Sequence, residues 1–332
     1  MIKQVALELI ASSGAFTPFR VACAGDILIL MYHRFGHADD GVTVSPEVFS
    51  RQVEYLASHY RLAPLSTVAE YLRAGEKPPR GLAVITVDDG YADFYEVAYP
   101  IIRRAGGTAT VFLVTEFVSQ KAWMPADRPM FLSAAASSGS YRVAVGGEKL
   151  ELALDDAASR GAAAHRINMA LLTIPHDERA EAMNRLAAEL GVDLPARPPR
   201  EFGALEWDQV REMAASGIEF GSHTATHAML TQVSEDRMRA EVADSRACIE
   251  DELGFAAEVF AYPNGDMNEQ VRQAVIDAGY LGAGCSERGF NDKTVDPFAM
   301  RRIYADTDMP HFVQTTSGFE QFKHWLRNAG RG

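Results

Sequence analysis

Residues 84–94 read VITVDDGYADF, and the way this stretch is read decides the fold. Val84, Ile85 and Val87 make the short apolar run of a buried strand. Asp88 and Asp89 then end it, with Gly90 behind them. A carboxylate in such a place is costly unless it is paired, hydrogen-bonded or bound to a metal, and two neighbours also repel. The carboxyl end of a parallel strand is where barrels and open α/β sheets build their sites.

Working outward, similar runs recur at Ile27–Met31, Thr110–Val114, Ile218–Phe220, Val259–Tyr262 and Tyr280–Ala283, with Arg302–Tyr304 the weakest. Helical patterns fill the gaps: 46–59, 66–74, 93–105, 207–216, 234–253 and 268–278. Ser234 with Glu235 and Asp236 reads as an N-cap followed by acids in the first turn. Gly254 and Gly279 stand where helices end in a left-handed residue. This alternation predicts a mostly parallel sheet, open or closed into a barrel. The stretch 119–200 breaks the rhythm, with a hairpin in SSGSYRVAVGGEKLEL and alanine-rich helical sequence after it. Loops of that length carry their own structure. The chain therefore reads as one domain over 1–332 with an insertion at about 119–200, lying over one face of the barrel.

The totals narrow the function. At 332 residues and 47% hydrophobic, the chain can bury a sizeable core. Its 32 basic and 45 acidic residues give a net charge of -13, which argues against a nucleic-acid footprint and against anionic membrane surfaces. Cys23, Cys248 and Cys285 are too few and too scattered for a zinc motif or a disulfide framework. Glu8 interrupts the apolar stretch of MIKQVALELIASSGAF, unlike a secretory signal. No run of roughly 18 apolar residues occurs, so no membrane span is expected. The expectation is a cytoplasmic protein, with export lacking a recognisable signal as the alternative.

A second polar cluster follows another apolar run: EFGSHTATH, residues 219–227. His223 and His227 are four apart, so one helical turn would put both imidazoles on one face, suited to a transition metal. An aspartate from a neighbouring strand end would complete three ligands with an open position, the arrangement of a catalytic zinc.

TVDDG at 86–90, SHTATH at 222–227 and FAYPNG at 260–265 resemble the three signatures of the polysaccharide deacetylases, the NodB-homology group or carbohydrate esterase family four. The resemblance runs over roughly residues 27–305. It implies a deformed (β/α)7 TIM-like barrel, a divalent metal that is usually zinc, and removal of acetyl groups from N-acetylhexosamine units of a glycan, N-acetylglucosamine above all. It also implies Asp88 as general base and Asp89, His223 and His227 as metal ligands. Tyr262, Pro263, Asn264 and Gly265 become substrate-binding, with a backbone N–H near 263–265 at the oxyanion.

Many members carry a general-acid histidine in a late signature, but RRIYAD at 301–306 has none. LMYHRF at 30–35 instead ends the first strand in His33, and SPEVFSRQVEYL at 45–56 follows. Both resemble the circularly permuted members that deacetylate poly-N-acetylglucosamine, whose acid comes from an early strand; His33 is therefore the expected acid, and His311 the next candidate. Ala261 stands where many members have the arginine that orients the base. Arg302 is expected to replace it, ahead of Arg301. Asn264 stands where an aromatic residue is common. Trp123, Trp207, Tyr91 and Met124 are candidates to stack on a sugar. Three rivals remain: an O-acetyl esterase, an inactive carbohydrate-binding relative, and a haloacid-dehalogenase-type phosphatase. The last needs aspartates two apart and no histidine pair.

Overall fold

The computed structural model describes residues 2–38 and 40–329. Seven short strands form the central sheet: β1 (Leu28–Tyr32), β2 (Leu82–Val87), β3 (Thr110–Leu113), β4 (Glu219–Ser222), β5 (Val259–Ala261), β6 (Gly282–Gly284) and β7 (Ile303–Tyr304). Every pairing is parallel and the order is β6-β5-β4-β3-β2-β1-β7, so the last strand lies beside the first. An eighth piece, Arg61–Leu62, pairs with the start of β2. The sheet curls into a half-barrel, the deformed (β/α)7 barrel that the family resemblance implies. Residues 300–304 span its two margins: Met300 bridges to Gly284 of β6, and Ile303 pairs with Leu30 of β1.

Alternation along the strands sorts the core in two. Leu28, Leu30, Tyr32, Ala83, Ile85 and Val87 pack outward against the surrounding helices. Ile27, Ile29, Val84, Phe112, Val259 and Ala261 pack inward, against the helix Leu65–Ala74 that plugs the barrel floor. The same parity carries upward: Asp88 follows Val84 by four residues, and Arg302 follows Met300 by two. Side chains at the strand ends therefore converge on one rim.

Strand boundaries shift by one or two residues from the predicted runs; Tyr280–Ala283 becomes Gly282–Gly284, for instance, and Ile218–Phe220 becomes Glu219–Ser222. The helix predicted over 93–105 divides into a π-helical turn, Phe94–Ala98, and an α-helix, Tyr99–Arg104. Pro100 has no N–H to donate, and Tyr99 N–H donates five residues back to Phe94, so the turn widens there. The capped helix predicted from Ser234 is Glu235–Leu253; the Ser234 hydroxyl accepts from Arg237 N–H, and Gly254 ends it in the left-handed conformation.

The 119–200 segment holds the predicted hairpin, Ser140–Val145 with Glu148–Ala153, and three helices, Asp127–Ala135, Ala157–Leu172 and His176–Leu190. These bury a core of their own around Leu132, Leu150, Ile167 and Leu186. All three cysteines are free thiols. Among the described residues, no helix is long and apolar enough to cross a membrane.

Close approach between strands depends on Gly221. A Cβ there would lie 2.6 Å from the Val259 carbonyl oxygen and 2.7 Å from the Phe112 ring. Gly221→Ala is expected to cost about 1–3 kcal/mol of stability by overpacking, read from the midpoint of a denaturant melt at unchanged slope.

Candidate active site

Strand register brings the predicted residues together. β1 and β2 run level, Tyr32 opposite Val87, and Asp88 N–H donates to the Tyr32 carbonyl at 3.0 Å. His33 thus stands beside Asp88, with its Nε2 3.9 Å from Asp88 Oδ2. On the other side of β1, Tyr304 is opposite Met31, and the Tyr304 ring lies parallel to that of His33 with centroids 6.1 Å apart. Across the barrel, Leu113 pairs with Ser222 and its carbonyl accepts from His223 N–H at 2.9 Å.

The two adjacent aspartates meet different partners. Arg302 grips Asp88 with both ends of its guanidinium, Nη1 to Oδ1 at 2.6 Å and Nη2 to Oδ2 at 2.9 Å. Its Nε donates to the Cys285 carbonyl, and Nη1 also reaches the Thr86 hydroxyl. Gly284 makes room for this side chain, since a Cβ there would lie 2.9 Å from Arg302 Cδ. Burial alone would raise the Asp88 carboxyl; the Arg302 charge, aided by His223 and His33, instead holds it well below the usual carboxylate range. Asp89 has no such partner, and burial pushes its carboxyl up. It faces the imidazoles: Oδ1 is 3.7 Å from His223 Nε2 and 3.6 Å from His227 Nε2.

That spacing fits a metal. Donors about 2.0–2.2 Å from one tetrahedral ion lie roughly 3.4 Å apart. Asp89, His223 and His227 offer one carboxylate oxygen and two ring nitrogens within 4.8 Å of one another. Burial lowers both histidines to about 4, so the imidazoles are neutral, as ligands must be. His223 Nδ1 donates to the Ala261 carbonyl at 2.8 Å, which leaves Nε2 as its free donor to an ion.

The expected helical turn between the histidines is absent. Residues 223–227 form an irregular loop, with Thr224 and His227 at φ 70° and 60°. A helix would spend the loop's amides on its own carbonyls. Here Ala225 N–H, Thr226 N–H and the Thr226 hydroxyl all donate to Glu241, a carboxylate buried on the helix Glu235–Leu253. Sequence reading misses Glu241. Its signal was an acid on the buried stripe with Met238, Val242, Ser245 and Ile249, a position for an apolar residue.

Of the five described non-glycine residues with positive φ, four belong to this region: Asp89, Thr224, His227 and Asn264. Such conformations persist where surrounding contacts over-determine them, and they cluster at functional sites. The turn Pro263–Gly265 carries Asn264 at φ 55°, and the Asn264 N–H donates to no described group.

These residues surround a cavity of about 160 Å³. Tyr262, Asn264 and Gly265 reach its wall; Pro263 is buried beside them. Of the stacking candidates, Tyr91 and Met124 line it. Trp123 is buried, its indole N–H on the Pro195 carbonyl, and Trp207 donates to Ser119; neither reaches the cavity. His311 lines a separate cavity and pairs with Asp308, and Arg301 pairs with Glu287.

The profile of one protein family, described as polysaccharide deacetylase, matches residues 75–283. The span holds Asp88, Asp89, His223, His227 and the turn at 263–265; His33 and Arg302 flank it. YxkH of Bacillus subtilis (strain 168), whose name places it among polysaccharide deacetylases, is 20% identical over 282 residues, 85% of this chain and 72% of its own. Two solved structures share the fold. Streptococcus pyogenes deacetylase PplD aligns with a TM-score of 0.59 at 20% identity, over 88% of this chain and 98% of its own. IcaB from Ammonifex degensii aligns at 0.58 and 17%, over 89% and 97%. With more than half the chain matched by the family profile, this protein belongs to the polysaccharide deacetylase family.

Proposed function

We propose that the protein is a zinc-dependent hydrolase that removes acetyl groups from N-acetylhexosamine units, N-acetylglucosamine in the first instance, of a polysaccharide or glycan precursor. The observation that carries this reading is the unlike pairing of two neighbouring acids: Asp88 on Arg302, Asp89 on two neutral imidazoles. A divalent ion, when bound by Asp89, His223 and His227, supplies Lewis-acid polarisation of the acetyl carbonyl and lowers the pKa of an attacking water.

The remaining steps belong to side chains. Asp88 is ionised throughout the working range and accepts the proton of the attacking water. Arg302 fixes the direction of its lone pairs. Attack on the carbonyl carbon makes a tetrahedral oxyanion, whose expected donor is a backbone N–H of the turn 263–265, that of Asn264 in the first instance. Collapse breaks the carbon–nitrogen bond. His33, its Nε2 3.9 Å from Asp88 Oδ2, gives its proton to the leaving nitrogen, so that acetate and an amine result.

Three measurements test this. His223→Ala and Asp89→Asn are expected to lose most bound zinc by elemental analysis, whereas Asp88→Asn keeps zinc and loses about 100- to 10,000-fold in turnover; identical behaviour of the two aspartate variants would overturn the division of roles. His33→Ala is expected to cripple release of acetate from N-acetylated glycans at normal metal content, yet to spare an activated ester whose leaving group needs little protonation. Small, equal losses on both would reduce His33 to a structural residue. Arg302→Lys supplies one charged donor in place of a fork, and turnover is expected to fall at least about tenfold with the metal retained. Acetate release from O-acetylated glycans alone would instead identify an esterase.

A further inference from the structure

Tyr91 lies two residues beyond Asp89 and touches both ends of the 119–200 insertion. Its hydroxyl donates to Asp127 Oδ1 at 2.9 Å, at the start of the first insertion helix. Its backbone bridges to Ala204, just past the other end, while Ala92 N–H donates to the Gly203 carbonyl and Leu205 N–H to that of Gly90. Its ring packs edge-on against Phe117, 5.2 Å between centroids, in a small apolar cluster with Val114 and Met124.

Arg34, the neighbour of His33, covers the other side. Its guanidinium lies 4.0 Å from the centre of the Tyr91 ring, pairs with Asp93 at 2.6 Å and donates to the Glu201 carbonyl at 2.6 Å. The insertion has its own core, and Met124 and Ala126 from its first turn form one wall of the catalytic cavity. Asp127 is buried, its Oδ2 has no partner, and burial pushes its carboxyl up to about 7. Such a group is costly to keep, and its one bond is the bond to Tyr91.

We infer that the Tyr91–Asp127 hydrogen bond, backed by Arg34, is a latch that seats the Met124–Ala126 wall of the cavity, and that this is the wall against which the sugar rests. The insertion thereby decides which glycans fit. Tyr91 and Asp127 are positioning residues: they act through the wall and not on the reacting atoms. The reason the latch lies in the DDGYAD loop is geometric. One loop fixes Asp89 and the wall together, so the sugar is held in register with the acetyl group to be attacked. This inference rests on the deacetylase reading for its substrate.

The test compares Asp127→Ala, which removes the acceptor, with Asp127→Asn, whose amide oxygen keeps it. For Asp127→Ala, KM for a soluble N-acetylglucosamine oligomer is expected to rise about tenfold or more, with kcat changed less, while hydrolysis of 4-nitrophenyl acetate stays within about twofold. Asp127→Asn is expected to restore KM. Equal losses on glycan and ester, or an unchanged KM, would overturn the inference. A second readout needs no turnover: hydrogen–deuterium exchange over residues 119–127 is expected to quicken in Asp127→Ala and in Tyr91→Phe, and not in Asp127→Asn. Unchanged exchange in both acceptor and donor variants would also overturn it. A wild type that releases no acetate from any N-acetylated glycan would refute the activity, while the exchange data would still decide the latch.

Discussion

The fork of Arg302 on Asp88 is the contact on which the rest of the site depends. A buried carboxylate without a counter-charge costs several times more than a typical hydrogen bond contributes, and losing one partner of a buried pair costs about 3–5 kcal/mol. The fold therefore has to deliver a guanidinium to the end of β2. It does so from the residue just before β7, through a gap left by Gly284 on β6. Ala261 stands where the family resemblance leads one to expect an arginine, and in this chain the guanidinium that meets Asp88 is that of Arg302.

The second constraint is the shape of the histidine loop. Two imidazoles four residues apart can converge on one ion through a helical turn or through a loop with left-handed residues. The loop costs backbone strain at Thr224 and His227, a β-branched residue among them. Glu241 offsets it by accepting three hydrogen bonds from residues 225 and 226. Because the loop is held from a helix and not from within itself, His227 can approach Asp89 as closely as His223 does.

Much of this was legible in the sequence because strands have a period of two and end where their apolar runs end. ILILMYH, VITVDD and EFGSH each announce a strand, a stop and a polar residue on the inward face, which is enough to gather His33, Asp88 and His223 on one rim. What was not legible depends on backbone or on distant chain. The conformation of residues 223–227 follows from a carboxylate on another helix, and nothing in HTATH alone distinguishes loop from turn. Trp123 and Trp207 looked like sugar platforms by type, but their indole N–H groups found partners elsewhere. The Tyr91–Asp127 contact joins residues 36 apart in sequence across an insertion boundary, beyond the reach of periodicity.

The margins of the half-barrel meet at residues 300–304, and this carries a consequence for the order in which the protein is made. Asp88 and Arg302 are separated by 214 residues. A growing chain therefore exposes the DDG loop, the histidine loop and most of the sheet long before the guanidinium emerges. Until the final strand docks against β1, the central acid lacks its counter-charge and the sheet keeps an open edge. Docking of the last strand and delivery of the guanidinium to the central acid are thus one late event.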